Sequence, residues 1–456
     1  MNMTWRAMAI GLLFAIPLAA SIYGIPVQAS EVTDIIQYVG DTPSAPAAFS
    51  LGLRASRTML RPMRQLHTKL LLALVEWRGG GYHAVFRGVH AALAVLLVLL
   101  FALAARPASA VDLSALGCSL AVLVGLGPFS ALFREAYPVN HFLVVTLYGW
   151  VVLLLAQRGR GLAADLMAVA CVALALLTLE SGILVAVVAV AAHLAGWRGV
   201  SRRGLALIAA VVAAYAFLRV GYLGIGTPPF AERDTGFGFG VLTSAEQVAR
   251  FDGQRGVLYA YNVLSGVSTI LFSQPTNGTW THAAALRAGT VRPWMVVQGA
   301  ASIATTAVIV ACAVRRRADG GRAWCGPYFA VPAVVIVANA VIAYSYAKDE
   351  IIAFAGTFYA LAAYAAFRTV LARLSRADAR AMAGAVLACA VMMLWATRVA
   401  ALHVILREQA YSVRNDWVDS KATEPVAGAL RSEALRVPTI SPRAFPRWVP
   451  AWLGER

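Results

Sequence analysis

The chain has 456 residues, 60% of them hydrophobic and 13% charged, with a mean hydropathy of +0.70; a water-soluble globular protein carries roughly 25% charged residues, so water is not the main solvent here. The formal net charge of +17 comes from arginines scattered through short loops between apolar runs, not from one basic soluble domain, which argues against nucleic acid as a partner. The alternating pattern of a membrane β-barrel is absent. The expected fold is therefore all-α, a polytopic integral membrane protein with about eleven transmembrane helices, since a lipid-facing backbone must satisfy its own hydrogen bonds.

The first apolar run, 7–26, follows the single basic residue Arg6 and reads either as a first transmembrane helix or as a signal peptide ending in small residues near Ala29 and Ser30. Later runs lie at 84–105, 113–132, 139–156, 162–179, 183–196, 205–222, 294–314, 328–346, 351–367 and 381–399. With the N-terminus in the cytoplasm, the inward loops carry Arg106; Arg158 and Arg160; Arg198, Arg202 and Arg203; Arg315, Arg316, Arg317 and Arg322; and Arg368, Arg373, Arg376 and Arg380. Positive residues thus mark every cytoplasmic turn. Of the 22 acidic residues only Asp112, Asp165, Asp319 and Asp378 fall on that side, which points to a functional surface on the outer face. Heavy use of Ala, Leu, Val and Arg suits a GC-rich bacterial genome, hence a multi-pass protein of the bacterial inner (plasma) membrane.

This layout divides the chain into a transmembrane domain, 1–399, and a basic extracytoplasmic tail, 400–456, that lies on the membrane surface. An outer loop spans 27–83. A second, 223–293, contains the apolar segment 256–273, read as an interfacial or re-entrant helix because a full crossing there would place the Arg315 to Arg317 cluster outside.

Candidate chemistry gathers at the outer ends of the runs. Glu31 and Asp34 are three residues apart and share a face if helical; they can supply a general base or act as first-turn acids behind a Ser30 cap. In LRPMRQLH, Arg61, Arg64 and His67 recur every three residues, an arrangement that suits phosphate recognition or contact with lipid phosphates. His83 and His90 stand seven apart at the mouth of a run, too far along a helix to clamp one metal without help. Arg134 and Glu135, then Glu180 in TLESGIL, Arg219 in FLRVGY and Lys348 in YAKDE complete the outer set. Each of these can be a solvated turn, but Glu180, flanked by two long apolar runs, would be costly to bury without a partner. The five cysteines form no C-x-x-C pair, and no phosphate-binding glycine loop, dinucleotide fingerprint or H-E-x-x-H motif occurs.

In order and local pattern these residues resemble the GT-C superfamily of multi-pass glycosyltransferases, particularly its protein O-mannosyltransferase-like branch. The match runs through the acidic Glu31 or Asp34, Arg61 with Pro62, Tyr82 with His83, His90, Glu135, Glu180 in LESG, and Arg219, and covers roughly the first half of the chain. Departures are Phe86 after the first His, Leu179 before Glu180, Lys348 in place of a late Arg-Tyr, and a split acidic motif. The resemblance implies a GT-C-like fold and inverting transfer of a sugar from a polyprenyl-phosphate donor to an acceptor hydroxyl on a glycan, lipid or protein. It implies Asp34, with Glu31, as the catalytic base, and Arg61, Arg64, His83, Arg134, Glu135, Glu180, Arg219 and Lys348 as substrate-binding residues. No metal ligand set is assigned, and a divalent metal remains open as a cofactor; membrane lipids are partners. The rival readings are a lipid or polysaccharide-precursor flippase and a non-catalytic relative. Uninterrupted apolar runs without an internal repeat weigh against a transporter.

Overall fold

The computed structural model describes residues 2–28, 32–54, 60–126, 129–134, 139–224, 243–272, 278–318, 326–345, 347–374, 379–420 and 425–438. Among these, all regular structure is helical. In chain order the helices are α1 Met3–Tyr23, α2 Val32–Gly40, α3 Ala45–Arg54, α4 Pro62–Trp77, α5 Tyr82–Ala105, α6 Ala110–Gly125, α7 Phe129–Arg134, α8 His141–Arg158, α9 Gly161–Thr178, α10 Ile183–Leu194 and α11 Arg202–Ala216. They continue as α12 Ser244–Phe251, α13 Arg255–Phe272, α14 Gly278–Ala288, α15 Pro293–Ala318, α16 Pro327–Ile342, α17 Asp349–Leu374, α18 Ala379–Asp419 and α19 Pro425–Arg436.

Eight described helices are long and apolar enough to cross a membrane: those at α1, α5, α8, α9, α11, α15, α17 and α18. Three further apolar helices are shorter, at 110–125, 180–194 and 327–342, and coincide with the three remaining apolar runs of the sequence. Their ends have local causes. α6 gives way to extended backbone at Leu126, two residues before Pro128, α10 is followed by Gly196 at φ +100°, and α16 begins at Pro327 in the first helical position.

α17 runs through the middle of the bundle and is buried on all sides from Ile352 to Phe367. Small residues let its neighbours approach closely: a Cβ added at Gly149 of α8 would lie 2.6 Å from the Phe354 ring. Several polar groups inside the bundle meet across helices. Trp150 Nε1 donates to Thr357 Oγ1 at 2.9 Å, Trp395 Nε1 to Thr305 Oγ1 at 2.8 Å, and Asn339 bridges the Ile351 carbonyl and the Ala355 amide. Away from water such bonds avoid the penalty of an unmet donor.

α13 and α14 enter and leave the bundle from the same end. Asn262 donates to the Tyr344 carbonyl just past α16, whereas Leu271, nine residues on, accepts from Thr306 in the middle of α15. α14 then returns past Ser268, through Thr279, to His282 beside Met295 at the start of α15.

The segment placed at the boundary between domain and tail does not break at 399: α18 continues unbroken to Asp419. Gly384 is its only glycine and it holds no proline, so nothing in the sequence stops the helix there. At 41 residues it is about 60 Å long by helical rise, twice the hydrocarbon core. α19 then folds back on α5 and α2, and Glu433 accepts from the Tyr82 and His83 amides at 3.2 and 2.7 Å. A carboxylate thereby caps the exposed donors at the α5 N-terminus.

Candidate functional site

The site is built where three chain segments end together. Pro62 opens α4 in the first helical position, with Arg61 as its N-cap residue. α9 ends at Thr178; Leu179 is extended, and a single 3-10 turn, Glu180–Gly182, reverses the chain into α10. The reversal is tight enough that a Cβ on Gly182 would lie 2.3 Å from the Ala175 carbonyl. α11 passes at its C-terminal end into a π-helical turn, Phe217–Tyr222, that carries Arg219; such turns often occur at functional sites.

Arg61 and Arg219 converge on Glu180. Arg61 Nη2 donates to Oε2 at 2.7 Å and Nε to Oε2 at 3.0 Å, while Arg219 Nη2 stands 3.7 Å from Oε1. The three side chains keep 21 to 26% of their surface exposed. Burial alone would raise the Glu180 pKa, but the charge and hydrogen bonds of Arg61, followed by the Arg219 charge, outweigh it and hold the carboxyl below its usual range. With two guanidinium groups on one carboxylate, the trio carries net positive charge and favours an added anion. Tyr215, one turn before Arg219, lies within electrostatic reach of all three.

Further along α4, His67 stacks on His141 at the start of α8, ring centroids 6.0 Å apart and nearly parallel at 17°. Burial lowers the His67 pKa, so it is neutral near pH 7. His67 Nδ1 and His141 Nε2 are buried without a hydrogen bond among the described residues. Arg64 lies close enough to act electrostatically on His141.

An apolar groove of about 1030 Å³ is lined by α10, α11 and α16, and none of the three trio residues lines it. It runs between α10 and α11 over α16. Ile183 and Ala216 line its near end, each three residues from Glu180 or Arg219, and Leu194 and Arg198 line its far end.

Of the residues expected from sequence, Arg61, Glu180 and Arg219 come together, with Arg64 and His67 on the same helix as Arg61. Among the described contacts neither His83 nor Arg134 touches the trio. The His83 ring meets Tyr23 edge-on at 5.0 Å and its amide is held by Glu433, and the Arg134 carbonyl accepts from Arg87. Lys348 stands at the start of α17, its carbonyl accepting from Ile351 and Ile352. Asp34 falls in α2, which lies along α4 through Gly40 and Lys69, whose Nζ donates to the Gly40 carbonyl at 3.0 Å. Glu31 and Glu135 lie outside the described residues, and so does the Asp34 side chain. No group of three or more potential metal ligands occurs among the described residues.

Arg87 was not singled out by the sequence. It is fully buried and donates to the Pro26 carbonyl at 2.8 Å and the Arg134 carbonyl at 3.1 Å, while His90 bonds the Leu132 carbonyl at 2.6 Å. Together they tie the segments that precede Glu31 and Glu135 to α5. An arginine one turn inside an apolar run was the available signal. Comparison of the chain with family models, curated proteins and solved structures returned no match.

Proposed function

We propose that the protein is a membrane glycosyltransferase of GT-C type, with all eleven apolar helices crossing the bilayer, the α13–α14 pair re-entrant, and the Glu180 end facing outward from a bacterial plasma membrane. Its donor is a polyprenyl-phosphate-linked sugar. The observation that carries this reading is the Arg61–Glu180–Arg219 trio, set in the chain three residues from Ile183 and Ala216 of an apolar groove: a pair of guanidinium groups suits a phosphate, and a neighbouring apolar groove suits an isoprenoid chain.

The Asp34 carboxylate takes the proton from an acceptor hydroxyl as that oxygen bonds to the anomeric carbon. The bond from that carbon to the phosphate oxygen breaks, and the electron pair leaves with polyprenyl phosphate, whose charge Arg61 and Arg219 stabilise. Transfer measured in reconstituted vesicles with a labelled polyprenyl-phosphate sugar tests this. Activity lost in Asp34→Asn and Arg61→Gln supports it, and turnover unchanged in both Asp34→Asn and Glu31→Gln refutes the base.

A lipid flippase is the second reading, favoured by the groove's extent from Ile183 to Arg198. Dithionite quenching of a fluorescent lipid in the same vesicles separates the two: accelerated flipping without transfer selects the flippase.

A further inference from the structure

At the opposite end of the bundle, where Asp112 begins α6, a second cavity of about 330 Å³ lies between α1, α5 and α8, lined by Thr4, Leu103, Arg106, Pro107 and Arg158 among others. We propose that this cavity binds a phosphate group, independently of the site at the Glu180 end.

Three observations carry the assignment. Two guanidinium groups line one small polar cavity, and no carboxylate among the described residues lines it with them. The described carboxylates nearby are already engaged: Asp112 with Arg368 at 2.7 Å and with the Ala108 amide at 2.9 Å, Asp165 with the Ser201 amide and hydroxyl at 2.8 and 2.6 Å. Like charges placed together in this way call for an anion.

Arg106 also occupies backbone that disfavours it. It ends α5 at φ 52°, ψ 56°, the left-handed position usually given to glycine, and is one of two non-glycine residues with positive φ among those described. Strain of this kind is retained where a side chain is needed. Finally, Arg158 is fixed by donating Nη2 to the Leu103 carbonyl at 2.5 Å, and a guanidinium has five N–H donors, so the same group can also fork onto phosphate oxygens. The ordinary alternative, that Arg158 only caps α5, accounts for the Leu103 bond but not for the arginine in a glycine position.

The phosphate can belong to a lipid headgroup or be free, and the test separates them. Full-length protein in nanodiscs of phosphatidylcholine with added phosphatidylglycerol is compared by native mass spectrometry, and its thermal stability in detergent is titrated with inorganic phosphate. Wild type is expected to retain phosphatidylglycerol about tenfold more tightly than Arg106→Gly, with Arg106→Lys intermediate. Arg106→Gly should match or exceed wild-type stability in phosphatidylcholine alone, since glycine suits the backbone, so a loss of binding cannot be ascribed to misfolding. A stabilising response to inorganic phosphate that Arg106→Gly lacks, without lipid retention, assigns free phosphate. Identical lipid retention and identical phosphate response in wild type and Arg106→Gly overturn the proposal.

Discussion

Arg61 and Glu180, 119 residues apart in the chain, meet through two nitrogens of one guanidinium, Nε and Nη2 both donating to Oε2. This contact fastens the start of α4 to the α9–α10 turn, and Arg219 approaches the carboxylate from α11. Arg61→Ala is expected to lower stability by about 1–2 kcal/mol, between the values of exposed and buried pairs. Glu180→Ala, which leaves two cations facing each other, should cost more. Thermal unfolding in detergent checks both, and a double-mutant cycle should show that the two losses are not additive.

The turn that presents Glu180 depends on Gly182. A methyl group there would sit 2.3 Å from the Ala175 carbonyl, and backbone cannot give way as a flexible side chain can. Gly182→Ala should destabilise the protein by about 1–3 kcal/mol and weaken donor binding together with stability, whereas Ser181→Ala should change neither by more than about 0.5 kcal/mol.

Acid should loosen the site through two groups whose signs agree. The Glu180 carboxyl is held low, so its contribution is fully present above the ordinary carboxylate pKa and is lost as pH falls through the lowered folded value. His67 is held neutral by burial; as pH falls below about 6.5 the unfolded chain gains its proton first, and stability declines there too. Melting temperature against pH should therefore fall below about 6.5 in wild type, less steeply in His67→Asn, and keep its lower-pH loss in His67→Asn but not in Glu180→Gln.

The C-terminal arm holds the segment that leads into α2. Trp417 Nε1 donates to the Val27 carbonyl at 2.5 Å, and Glu433 caps α5. Trp417→Phe and Glu433→Gln should each cost about 1 kcal/mol and raise hydrogen exchange in residues 32–40 while leaving α17 unchanged. Exchange unaltered in 32–40 would show that the arm is ornamental.

The orientation proposed above, drawn from the arginine pattern of the loops, predicts which positions react from each side. In a variant lacking Cys325 and Cys389, a cysteine at Trp77, whose side chain is exposed, should react with an impermeant reagent from outside intact cells. One at Arg160 should react only after permeabilisation.

The helical architecture was legible because hydropathy is a local property: each of the eleven apolar runs coincides with a described helix, although three are shorter than a full crossing. The trio was legible one residue at a time, since an arginine beside Pro62, a carboxylate between two apolar runs and an arginine at a run's end each break a local pattern. Their meeting was not, because it depends on how α4, α9 and α11 pack. Arg87 and Arg398 were hidden for a related reason. Both are buried in apolar helices and answered largely by backbone carbonyls, Pro26 and Arg134 for the first, Gly125 and Gln298 for the second, and a carbonyl leaves no mark in sequence. The Glu433 cap and the continuation of α18 past 399 lay in a polar stretch where composition suggested only a surface tail.

The most direct measurement is the amount of polyprenyl phosphate that co-purifies with the protein, determined by mass spectrometry for wild type, Arg219→Gln and Ala213→Trp, the last filling the groove. The lipid should be present in wild type and reduced at least tenfold in both variants while each remains folded. Equal amounts in all three, or none in wild type after supplementation with the lipid, would contradict a donor site at the Glu180 end.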